Sequence, residues 1–84
     1  MRGNKLLNKA IMEVVDNQLR DLDPPETRQT YDRLLSEGFS EKEAKDLIGC
    51  VVASEIYDIM KNEKPFDLAR FTKALADLPK LPED

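Results

Sequence analysis

The chain has 84 residues, of which 40% are hydrophobic and 36% are charged, and its formal net charge is −4. This length predicts one domain covering residues 1–84, and the composition argues against a disordered chain and against a membrane-spanning one. Acidic and basic residues alternate along the sequence, so the basic footprint typical of nucleic-acid binding is not visible.

The first predicted helix covers residues 5–20, where apolar side chains recur at spacings of three and four. Asn4 precedes it and is a residue type that caps free helix amides. The apolar stripe is wide enough to contact two neighbouring helices, or one neighbour and a second chain. We therefore consider four residues as candidates for an interaction surface, although they could instead complete the core: Leu7, Ile11, Met12 and Val15.

The second predicted helix covers residues 24–37 and begins at a proline pair. Proline disfavours a helical conformation in the residue before it, so the first helix must end by Asp23. Asp23 is a good N-cap for the second helix, and Pro24 suits its first position. Gly38 is expected to end this helix in a left-handed conformation, which glycine adopts without steric penalty.

The third predicted helix covers residues 40–62 and carries the clearest start signal. Ser40 and Glu43 have the spacing of a capping box, in which each side chain accepts a hydrogen bond from the other residue's backbone amide. The segment 47–53 is apolar on nearly every side, which predicts that this helix is central in the domain. Gly49 lowers helix propensity, and a close helix crossing at this point would offset that cost.

The fourth predicted helix covers residues 67–78. Asp67 can cap its first turn, Phe66 can pack against Phe71 across the cap, and Pro79 stops it. Residues 1–4 and 79–84 are expected to be frayed ends. Because no segment alternates in the way of a β-strand, we predict an all-α fold, a compact bundle of four helices with the third helix central.

The sequence lacks most of the residues that usually carry chemistry. It has no histidine, a single cysteine and three isolated glycines, so no common general base, zinc-type spacing or phosphate-binding loop is available. We therefore predict a protein that is not an enzyme and that uses no cofactor and no metal. The single Cys50, within an apolar run and without a signal peptide before it, favours a reducing cytoplasm and no membrane association.

Glu55 is the residue that the helical pattern marks as unusual. At 100° per residue it falls within the apolar face of the third helix, where an isolated charge would cost several kcal/mol. We expect a buried carboxylate with a partner, for which Arg28, Arg33 and Arg70 are available. A structural ion pair and a contact with a ligand or partner are both consistent with this position.

The segment 28–48 resembles two known local arrangements. With Gly38 in its turn it is similar to a DNA-binding helix-turn-helix, although Glu41, Glu43 and Asp46 would face phosphates poorly. Its Gly38-Phe39-Ser40 step also resembles the loop of ubiquitin-associated domains, in which that loop contacts a partner. The third helix is longer than the corresponding helix of that family, and no binding site is transferred from it.

Over residues 14–79 the whole chain resembles a family of short, uncharacterised bacterial all-helical proteins. The similar pieces are segments 23–27 (DPPET), 37–40 (EGFS) and 55–58 (EIYD). The resemblance implies a single bacterial helical domain and no assigned activity. Our functional expectation is a non-enzymatic protein–protein interaction module or a small homo-oligomer, whose partner is an unknown protein or a second copy. The alternative is a nucleic-acid-associated regulator built on segment 28–48, which the charge pattern makes the weaker expectation.

Overall fold

A computed structural model describes the backbone of residues 2–82 and the side chains of residues 8–82. It contains four helices: α1 (Arg2–Asp21), α2 (Pro25–Ser36), α3 (Glu41–Asn62) and α4 (Leu68–Asp77). The predicted elements are confirmed, with ends that differ by at most one residue except at the start of α1, which differs by three. That helix already includes residues 2–4, so Asn4 lies inside the helix and the prediction that it is the N-cap was wrong.

The bundle is organised around α3, which packs against each of the other three helices. Most of its apolar segment is buried, including Ile48, Val51 and Val52, so the prediction of a central third helix is confirmed. The helices α1 and α4 flank α3, and within the described residues they do not pack against each other. No helix in the described part of the chain is both long and apolar enough to cross a membrane.

The corner between α2 and α3 is closed by local contacts, as the sequence predicts. Gly38 has a φ of 103°, in the region that favours glycine. The amides of Gly38 and Phe39 donate to carbonyls of the last turn of α2, each at 3.1 Å, in a Schellman arrangement. The reciprocal bonds between Ser40 and Glu43 then start α3, at 2.9 and 3.1 Å. These bonds satisfy backbone groups at both sides of the corner.

The proline corner between α1 and α2 differs from the prediction. Pro24 is extended, with φ −77° and ψ 151°, so it is the N-cap and Pro25 is the first helical residue. No side chain caps this helix, and the expectation that Asp23 does so was wrong. The rule that a residue before proline avoids helical geometry applies to Pro24 as well as to Asp23, because Pro25 follows it.

Gly49 lies at the close crossing of α1 and α3 that its position predicts. A β-carbon added there would lie 2.5 Å from Met12 Cε and 3.3 Å from Ile11 Cγ2. Both distances are shorter than ordinary contacts between carbon atoms, which lie near 3.5–4.0 Å. A larger residue at position 49 would therefore require the flexible end of Met12 to move and Ile11 to shift by a few tenths of an ångström, so glycine allows the two helices to approach closely without rearrangement.

Polar contacts fix the outer helices at two further points. Lys45 Nζ on α3 lies 3.0 Å from Asp16 Oδ1 on α1, and this hydrogen bond is the main cause of the raised pKa of Lys45. Arg33 Nη2 on α2 donates to the carbonyl of Leu75 on α4 at 3.1 Å. A cation that binds the last carbonyls of a helix satisfies unpaired acceptors and complements the helix dipole.

The start of α4 agrees with the sequence prediction. The Arg70 amide donates to Asp67 Oδ1 at 3.1 Å, and the rings of Phe66 and Phe71 have centroids 5.6 Å apart. Phe71 is fully buried, whereas Phe66 is 51% exposed. The Phe71 ring therefore lies in the core, and the Phe66 ring packs against it at the edge of the core.

Candidate functional site

The candidate interaction surface on α1 is largely part of the core. Ile11 is 5% exposed and Val15 is fully buried, so these two residues cannot contact a partner and their assignment to a surface patch was wrong. Met12 is half-buried against Gly49, and Leu7 lies outside the residues whose side chains are described. Periodicity identified the buried face of α1 correctly, but that face is covered by the chain's own helices.

Glu55 is the buried carboxylate that the helical pattern predicts, and Arg70 is its partner. The Glu55 side chain is 8% exposed, whereas that of Arg70 is 39% exposed. Arg70 donates from Nη2 to Glu55 Oε1 at 2.9 Å and from Nε to Oε2 at 3.3 Å. This side-by-side geometry is the strong form of an arginine–carboxylate pair, and it raises the pKa of Arg70.

A cleft of about 310 Å³ lies beside this pair, between α3, α4 and the segment 80–82. Its charged side chains are largely neutralised within the chain. Arg70 Nη2 also lies 3.4 Å from Asp58 Oδ2, and Lys73 Nζ lies 3.1 Å from Asp77 Oδ2. An enzyme built on Glu55 would need such a cleft. Here the carboxylates of Glu55, Asp58 and Asp77 are engaged with cations, and the sequence contains no histidine.

A second depression, which we call the α1–α4 groove, lies between the two outer helices. Its space is about 230 Å³, and its lining is mainly apolar. One wall is Val14 and Gln18 of α1, and the other is formed by the aromatic pair at the start of α4. The floor belongs to α3, where Ile56 and Ile59 are only half-buried. The groove exists because α1 and α4 do not close over this end of α3.

Exposed apolar side chains extend the surface of the groove. Met60 is 75% exposed and lies one helical turn beyond Ile56, while Leu68 is 48% exposed and follows Phe66 in the chain. Sequence reasoning missed this surface. The signal was available, because Ile56 and Met60 lie one turn apart on a side of α3 that is about 100–140° from Glu55, and this spacing could have indicated a second apolar face.

Two other predicted features have different surroundings from those expected. Cys50 is exposed on α3, although it stands within an apolar run of the sequence. In the helix-turn-helix-like segment 28–48, Arg28 is paired with Asp32 and Arg33 with Glu37. Both arginines are engaged with carboxylates of α2 and its cap, and Arg33 also binds carbonyls of α4, so their contacts give no support to a phosphate-binding role.

Comparison with protein-family models, with curated proteins and with solved structures found no match for this chain. The resemblance to short bacterial helical proteins therefore stays a prediction.

Proposed function

We propose that this protein is a non-enzymatic interaction module that binds another protein chain through the α1–α4 groove. The observation that supports this proposal is the apolar lining of the groove together with the exposed side chains beside it, Met60 and Phe66. Single exposed hydrophobic residues are ordinary on protein surfaces, whereas adjacent ones around a depression are typical of interaction sites.

The contrast with the charged cleft also supports this choice. In that cleft Arg70 and Lys73 already have carboxylate partners, so a ligand would have to displace bonds that the fold makes. The groove lining is mainly aliphatic and aromatic carbon, and the exposed Met60 thioether lies beside it. Removal of such groups from water by another apolar surface is favourable. Proteins commonly cover such an apolar groove with an amphipathic helix of a partner chain.

The cytoplasm remains the expected compartment, because the single exposed thiol of Cys50 has no second cysteine with which to form an internal disulfide. The alternative expectation, a nucleic-acid-associated regulator, stays an untested prediction.

Affinity capture from the cells that make this protein tests the proposal. The wild type, a Met60→Glu variant and a Leu81→Glu variant would serve as baits, with captured proteins measured by quantitative mass spectrometry. Leu81 is 46% exposed but lines the charged cleft instead of the groove, which makes it a matched control. We expect a protein bound by the wild type and by Leu81→Glu to be lost with Met60→Glu. Equal capture by all three baits would contradict a role for the groove.

A further inference from the structure

We propose that the occupant of the α1–α4 groove is a second copy of this chain, so that the protein is a homodimer. This inference rests on the proposed function and makes its partner specific. It is argued from the accessible surface of the chain, from the side chains beside the groove and from the charges at its edge.

The accessible surface is larger than that of a monomeric protein of this mass. The chain exposes 5960 Å² at 9.6 kDa. The scaling found for monomeric proteins gives about 5,100 Å² at this mass, so the excess is about 850 Å². A standard protein–protein interface buries about 800 Å² on each partner. This total covers all 84 residues, and its surplus is comparable in size to the area that one dimer contact would remove.

The uncovered apolar side chains show where that contact belongs. Three of the six large hydrophobic residues exposed in the described chain lie at the end of α3, in the link and at the start of α4: Met60, Phe66 and Leu68. Tyr57 is also exposed but lies on the other side of α3, next to Lys61. The half-buried floor of the groove is continuous with Met60, because Ile56 lies one turn before it on α3. On the opposite wall Ala10 is exposed one turn before Val14, on the same face of α1.

The charges beside this surface suit self-association. A dimer with a two-fold axis places the same patch on both copies, so a patch with charges of one sign would repel itself. The exposed residues of the α3–α4 link carry both signs, with Lys64 between Glu63 and Asp67. Each copy can therefore offer opposite charges to the other around an apolar centre, which is the usual anatomy of an interface.

Light scattering coupled to size-exclusion chromatography, supported by sedimentation equilibrium, tests the dimer at concentrations from about 5 to about 500 µM. We expect the wild type to approach twice the chain mass of 9.6 kDa. Met60→Glu and Ala10→Glu should remain at the single-chain mass, because each places a carboxylate on one side of the contact, whereas Leu81→Glu should dimerise like the wild type. Circular dichroism would verify that all variants keep the helical content of the wild type.

A wild type that keeps the single-chain mass at the highest concentration would overturn the homodimer. A dimer that persists in both Met60→Glu and Ala10→Glu would overturn the groove as its contact face. The proposed function is tested separately, because a monomeric wild type that captures another protein and loses it with Met60→Glu would retain the interaction site with a different occupant. A monomer whose capture is unchanged by Met60→Glu would contradict both proposals.

Discussion

Removal of Arg70 should destabilise the fold more than neutralisation of its partner Glu55. Breaking a fully buried ion pair costs about 3–5 kcal/mol, whereas exposed pairs contribute about 0–1 kcal/mol. Here Glu55 is 8% exposed and Arg70 is 39% exposed, so the pair lies between these limits. Arg70→Met leaves the buried member without its two donors, and we expect a loss of about 2–3 kcal/mol.

Glu55→Gln should cost about 1 kcal/mol, because the remaining guanidinium is exposed enough to stay hydrated and the amide oxygen still accepts one hydrogen bond. The double variant should show a coupling of about 1–2 kcal/mol between the two positions. Urea unfolding followed by circular dichroism measures all three free energies. In a domain of this size each kcal/mol corresponds to a shift of about 4–8 °C in Tm.

Lys73→Met is a matched control, since Lys73 lies on the same helix and pairs with Asp77 at the surface. It should change the free energy of unfolding by no more than about 0.5 kcal/mol. A loss for Arg70→Met no larger than that for Lys73→Met would refute the description of Glu55 as a buried carboxylate that depends on its partner.

Three further predictions concern the crossing, the capping box and an exposed ion pair. Gly49→Val should lower the free energy of unfolding by about 1–3 kcal/mol, because the side chain enters the contact with α1. The control Cys50→Val, at the exposed neighbouring position, should change the free energy of unfolding by only about 0.5 kcal/mol. Equal losses in the two variants would contradict the close crossing. Ser40→Ala should cost about 1 kcal/mol in urea unfolding through loss of the cap, whereas an unchanged midpoint would mean that this bond does not stabilise α3. The hydrogen bond from Arg20 lowers the pKa of Asp21, so its stabilising effect is present above about pH 3.9 and is lost as the pH falls through that lowered pKa. Carboxyl NMR should show Asp21 titrating at higher pH in Arg20→Gln, and an identical titration in both proteins would disprove the contact.

Local chemistry made the helix boundaries predictable from the sequence. The corner at Gly38 and Ser40 depends on a left-handed glycine and a capping box, which involve residues only a few positions apart. The prediction for the proline corner was wrong in one respect. The restriction that a proline places on the preceding residue was applied only to Asp23, although Pro25 places the same restriction on Pro24. Even there, the break between the helices was predicted within one residue.

The candidate site was less predictable, because it depends on which helix covers which face. Periodicity placed Ile11 and Val15 on the apolar face of α1 but could not show that the chain itself covers that face. The same pattern placed Glu55 in the core, while only the fold selects Arg70 from three available arginines. The groove beside Ile56 arises from the separation of α1 and α4, and no pattern within one helix specifies such a separation.

The bonds from the Gly38 and Phe39 amides and the reciprocal bonds of the capping box lie within the ten residues from Leu34 to Glu43. Such short-range bonds require little loop closure, so this turn can form before the distant parts of the chain meet. A synthetic peptide spanning the two helix ends should retain the reversal in water, at least as a populated conformer.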